Sequence, residues 1–236
     1  MLTRPSAGYH GSPVAPLLRH APVEVHGRYF VRPPRSGKGE LWLVGFHGQG
    51  QTADEFLESL ERIPRSPAWL VASVQGLNRH YVGRTQRIAA TWMTSQDREL
   101  AIADNVGWVN SVLDGIEHEF GAPRAIVFAG FSQGVAMAYR AGLLGRRMCA
   151  AIIAAGGDVP PELKSAVTRD WPKVLAATGS RDAWYTPARL EADLEFMRAR
   201  GSDARMLVFD GGHEWAGALC DAAGLLLKGV EGGGRS

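Results

Sequence analysis

Three side chains in this sequence could together carry out acyl transfer. They are Ser132 in "GFSQG", Asp182 in "GSRDAWYTP" and His213 in "DGGHEW". A serine hydroxyl is a weak nucleophile and needs a base within hydrogen-bond reach. An imidazole can take its proton, and a carboxylate can hold that imidazole in the right tautomer and stabilise its cation. Ser132 lies between Gly130 and Gly134, and G-x-S-x-G marks a sharp strand-to-helix turn with no room for larger residues at either glycine. The five letters alone are weak evidence, because the chain holds 29 glycines and such a pattern arises by chance. Asp158 and Asp210 compete with Asp182 for the acid. Asp158 is the closer rival, because it too follows an apolar run and a double glycine.

Acyl transfer also needs N–H donors for the oxyanion. The backbone N–H of Gln133, just after the serine, is one candidate. The other is Gln49 in "FHGQGQT", where Gly48 and Gly50 let the backbone turn the Gln49 N–H inward. His47 in the same stretch reads as a structural group that bonds nearby backbone. Trp92, Trp184, Tyr185 and Trp215 are candidates for an apolar acyl pocket.

These groups matter only if the fold brings them together. "ELWLVGFHG" (40–48), "AWLVASVQG" (68–76), "RAIVFAGF" (124–131), "MCAAIIAAGG" (148–157), "KVLAATGS" (173–180) and "ARMLVFDGG" (204–212) read as buried strands. "VEVHGRYFVRPP" (23–34) alternates like a strand or hairpin. Between them lie helical patterns. Thr52 and Glu55 form a T-x-x-E capping box before Phe56, Leu60 and Ile63. Asp97 can cap a helix whose Ile102, Val106, Val109, Leu113, Ile116 and Phe120 make one apolar stripe, ending at Gly121. Residues 132–145, 187–200 and 214–230 read as further helices, while 77–96 reads as irregular. Apolar strands alternating with amphipathic helices predict an α/β fold, a mostly parallel sheet with helices on both faces. Sites in such sheets form at the carboxyl ends of strands, where Ser132, Asp182 and His213 fall.

Composition excludes several classes. With 26 basic and 24 acidic residues, net charge is +2, which gives no electrostatic case for nucleic acid. No apolar run reaches the length of a membrane span, and residues 1–20 lack the apolar core of a signal peptide. Two cysteines, Cys149 and Cys220, argue against a disulfide framework and for a reducing cytoplasm, with Cys149 a buried thiol. There is no H-E-x-x-H or C-x-x-C, so no metal is expected.

The ordered set "FHGQGQT", "TWM", "GFSQG", "GSRDAWYTP" and "GGHEW", spread over residues 40–228, resembles the carboxylesterase/phospholipase branch of the α/β-hydrolases, which includes acyl-protein thioesterases. The order serine, aspartate, histidine is that of this superfamily. The resemblance implies a Ser132–Asp182–His213 triad, oxyanion donors at Gln49 and Gln133, and hydrolysis of a small-molecule carboxylic ester or thioester without a cofactor. It also allows a homodimer. Val135 stands where members commonly carry a second glycine, and Gln51 where many carry an acidic residue. A dienelactone-type or peptide hydrolase on the same fold, or a catalytically silent binding protein, are the alternative readings. The expected organisation is an arm at 1–20, one domain at 21–230 and a tail at 231–236.

Overall fold

The computed structural model describes residues 15–35, 39–165 and 170–233. A seven-stranded sheet runs through it: β1 (Tyr29–Arg32), β2 (Leu41–Phe46), β3 (Leu70–Val74), β6 (Ala125–Phe131), β7 (Ala151–Ala155), β8 (Lys173–Gly179) and β9 (Ala204–Phe209). Their order in space is β1-β3-β2-β6-β7-β8-β9. All neighbours are parallel except β1, which pairs antiparallel with β3. The mostly parallel sheet is as the patterning predicted.

Strand alternation divides the core. Trp42, Val44 and Phe46 enter one apolar cluster with Val109, Leu113 and Ile116 of α2 (Arg98–Phe120) and Met137 of α3 (Gln133–Leu144). Leu43 points the other way, into a second cluster with Phe56 of α1 (Ala53–Glu61) and Leu219 and Leu227 of α6 (Gly217–Gly232). Two further helices, the short α4 (Pro161–Ser165) and α5 (Pro187–Ala199), complete the layers. At the start of α1 the Glu55 carboxylate accepts from the Thr52 N–H at 2.9 Å, the return bond of the expected capping box. Among the described residues, no helix is long and apolar enough to cross a membrane.

Three expectations change. Residues 77–96 are not irregular: β4 (Asn78–Tyr81) and β5 (Ile88–Thr91) form an antiparallel hairpin. Every β4 residue is exposed, so no apolar period could announce it. Cys149 is half-buried, while Cys220 is buried. The last helix passes residue 230 to Gly232, because Glu231 anchors it: its carboxylate accepts from Arg65 Nε (2.7 Å) and Trp69 Nε1 (2.8 Å). Of the expected arm, 1–14 lie outside the described residues, as do 234–236 of the tail, and 15–20 carry no regular structure.

Candidate active site

The chain winds outward from β2 to β3, then returns to β6 on the other side of β2. That reversal opens a crevice at the strand carboxyl ends, and β6 delivers Ser132 there. Ser132 adopts φ 52°, ψ −119° between β6 and α3, a conformation that costs a non-glycine residue about 1–3 kcal/mol. Its neighbours explain why the turn tolerates nothing larger. A Cβ on Gly134 would stand 1.9 Å from the Phe46 carbonyl oxygen, and one on Gly130 would stand 2.3 Å from the Gly134 oxygen.

Asp182 and His213, the expected acid and base, follow β8 and β9. Asp182 follows β8 and is buried, and its Oδ2 lies 2.7 Å from His213 Nδ1. Its Oδ1 accepts from the N–H groups of Trp184 (2.8 Å) and Tyr185 (2.9 Å). Thr178 donates to the Tyr185 carbonyl, closing the turn. Burial pushes the Asp182 carboxyl up, but the Tyr185 N–H, His213 and the Trp184 N–H together hold it below the usual carboxylate range. An ionised Asp182 makes Nδ1 the protonated ring nitrogen of neutral His213 and leaves Nε2 as a base. Gly156, at φ +67° after β7, gives the ring its space: a Cβ there would stand 2.9 Å from His213 Cε1. Ser132 and His213 line the same cavity, of about 740 Å³.

The rival carboxylates are engaged elsewhere. Asp158 reaches this cavity, but its Oδ2 pairs with Arg189 Nη2 at 2.6 Å. Asp210 is exposed and pairs with Arg181.

The loop expected to hold the oxyanion has one N–H without an acceptor among the described residues. Gly48 donates to Gln51 Oε1 (2.8 Å), Gly50 to the Ala90 carbonyl (3.0 Å) and Gln51 to the Gly48 carbonyl (3.2 Å). The N–H groups of Gln49 and of Gln133, first in α3, have no acceptor among the described residues, and both residues line the cavity. The Gln51 amide oxygen is the acceptor that ties the Gly48 N–H. Val135 is accommodated by Gly157, whose added Cβ would stand 2.8 Å from Val135 Cβ.

His47 holds this loop from beneath. Its Nδ1 lies 2.7 Å from the Gly48 carbonyl oxygen and its Nε2 accepts from the Gly76 N–H at 3.0 Å. Trp184 and Tyr185 also line the cavity, but two other aromatic candidates do not reach it. Trp92 is fully buried, stacks on His47 and donates to the His47 carbonyl oxygen (2.9 Å). Trp215 packs edge-on against Phe56 in the α1–α6 core. Aromatic residues beside loops were the sequence signal, and at these two positions the ring turns inward to fill the core.

Sequence reasoning missed two parts. One is the Gln133 side chain, whose Oε1 accepts from Thr91 Oγ1 (2.7 Å) and the Trp92 N–H (2.9 Å), while its Nε2 donates to the Met93 carbonyl (2.9 Å). The other is Arg140, which lines the cavity while only 2% exposed. Its signal was available: it is the sole charge in "QGVAMAYRAGLL".

No protein-family model matches the chain, and no curated protein matches it in sequence. Solved structures do. Esterase PE8 superposes with a TM-score of 0.70 at 24% identity, over 87% of this chain and 100% of that one. The chain has the α/β-hydrolase fold. The Bacillus cereus carboxylesterase gives 0.69 at 17% identity over 86% of this chain and 94% of its own. Zea mays acyl-protein thioesterase 2 gives 0.68 at 17% over 88% and 100%. In this fold Ser132, the Asp182–His213 pair and the N–H groups of Gln49 and Gln133 all lie at one end of the sheet.

Proposed function

We propose that this protein is a serine hydrolase of carboxylic esters or thioesters, working through an acyl-enzyme on Ser132. The observation that carries the reading is the half-buried Asp182–His213 hydrogen bond opening onto the cavity that also holds Ser132 in its strained turn. His213 Nε2 takes the hydroxyl proton as Ser132 Oγ bonds to the substrate carbonyl carbon. The carbonyl oxygen becomes an oxyanion and accepts from the N–H groups of Gln49 and Gln133. The oxyanion collapses, the ester or thioester bond breaks, and imidazolium His213 gives its proton to the leaving alcohol or thiol. Water then adds to the acyl-enzyme, again losing a proton to His213, and the acid departs as Ser132 recovers its hydrogen. Every proton is returned, so the cycle needs no cofactor. Esterase and thioesterase neighbours of the same fold support the reading. The low cysteine count favours a reducing cytoplasm as its compartment.

A fluorophosphonate probe tests this. It should label Ser132 in the native protein and fail in Ser132→Ala and His213→Ala. Esters and thioesters of graded length, measured beside peptides, should show turnover that Asp182→Asn reduces by several orders of magnitude and Asp158→Asn does not. No adduct at Ser132, or turnover lost only with Asp158→Asn, would sink the assignment.

A further inference from the structure

An acyl pocket for a plain fatty chain needs no charge, yet this one contains an arginine. Arg140 lies two turns along α3 from Ser132, with Ala136 between them, and all three line the cavity. The eight positions span about 12 Å along a helix axis. Helical side chains lean toward the N-terminus, so the guanidinium leans back toward the serine.

Its donors are under-used. A guanidinium carries five N–H groups. Nε donates to Glu162 Oε1 at 2.7 Å, and Nη1 meets only the Met93 thioether at 3.2 Å, a weak acceptor. Nη2 has no partner among the described residues. The charge is unbalanced too. Glu162 is shared, its Oε2 going to Arg98 Nη2 at 2.8 Å, and Arg98 also lines the cavity. Two guanidiniums thus face one carboxylate. Arg189 and Asp158, which also line the cavity, already neutralise each other. Burial lowers the Arg140 pKa, and Glu162 does not fully offset it. An arginine stays protonated in proteins even so, and a second anion would relieve that cost.

We infer that the substrate of this hydrolase carries a carboxylate, bound by Arg140 with Arg98 beside it, at a short distance from the scissile carbonyl. One surplus positive charge matches a monoanionic carboxylate better than a dianionic phosphate, and the fork of a guanidinium fits a carboxylate in bidentate fashion. Arg140 is then a specificity residue. The inference rests on the serine-hydrolase reading.

The test compares esters that differ only in charge, followed by acid release. Monoethyl glutarate and ethyl valerate share an acyl length, with a carboxylate replacing a methyl. The valerate ester of 3-hydroxypropanoate puts the carboxylate on the alcohol side and is compared with propyl valerate. One charged ester should exceed its neutral partner about tenfold or more in kcat/KM, and which one does tells the side. Arg140→Gln should bring that ratio close to one, while Arg140→Lys, which keeps the charge without the fork, should leave an intermediate ratio. Circular dichroism and fluorophosphonate labelling of Ser132 establish that each variant is folded. If Arg140→Gln does not fold, the wild-type ratio and the Lys variant decide. Turnover of neutral esters with no charge preference, or a preference that Arg140→Gln leaves intact, overturns this inference and spares the hydrolase reading. No turnover of any ester and no adduct at Ser132 removes both.

Discussion

A histidine one residue from an oxyanion loop invites the role of second base, but the bonds of His47 exclude it. Both ring nitrogens face backbone groups, Gly48 on one side and Gly76 on the other, and the ring is fully buried. Burial is the largest influence on it and holds its pKa below the ordinary 6.5. The unfolded chain therefore takes up the proton first. The stability that neutral His47 contributes is complete above about pH 6.5 and is lost as pH falls from there toward the folded value. Asp182 does not confuse the measurement, because its carboxyl is held below the usual carboxylate range and its contribution is lost only at lower pH. Urea midpoints at pH 7.5 and 5.5 should fall further for the native protein than for His47→Gln, whose amide can still accept from Gly76 but takes up no proton. Equal falls in the two proteins would mean that His47 does not titrate with unfolding.

Between elements, Gln133 is the clip. Gln133 lines the cavity, its backbone N–H without an acceptor among the described residues, while its amide joins α3 to residues 91–93. The same segment grips the oxyanion loop, since Gly50 donates to the Ala90 carbonyl and Ala90 to the Gln51 carbonyl, both at 3.0 Å. Gln133→Ala keeps the N–H but leaves the Trp92 N–H without its partner and Thr91 Oγ1 and the Met93 carbonyl with only their 3.4 Å bond to each other, at a cost of about 2–4 kcal/mol. The expected outcome is a lower melting temperature and a kcat reduced about tenfold with KM little changed, because the loop that supplies the Gln49 N–H loosens. An unchanged kcat would show that the loop is held without the clip. This arrangement also marks where the sequence stops being readable. Ser132, Asp182 and His213 could be placed at strand ends because β6, β8 and β9 follow a regular strand-and-helix alternation. β4 could not, because "NRHY" is exposed on both faces. The Gln133 amide and the inward turn of Trp92 depend on partners some 40 residues away, which no local spacing encodes. Arg140 was visible as a lone charge, but only the cavity gave it a direction.

Across the whole molecule, stability and function draw on different parts of one sheet. The central strands β2, β6 and β7 are buried almost throughout, with apolar clusters on both faces. The β4–β5 hairpin lies outside that sheet. It is tied back by the Gln133 clip, by the two Ala90 backbone bonds and by Arg87, whose Nη2 donates to the Gly50 carbonyl at 3.0 Å. Its β4 is exposed throughout, while Ala89, Ala90 and Thr91 of β5 are buried, so its burial is confined to one strand, and regions with fewer buried contacts open at lower free energy than the core does. The hairpin should therefore detach before the sheet melts and release the oxyanion loop as it goes. In rising urea, esterase activity should fall at a lower concentration than the far-ultraviolet dichroism of the sheet and helices. Amide exchange should be fast at 78–81, faster at 88–91 than in the sheet, and slowest in β2, β6 and β7. Coincident midpoints would place the hairpin within the global cooperative unit. The cavity end of the sheet would then be as stable as its core, and the braces around Ala90 would carry far more than their number suggests.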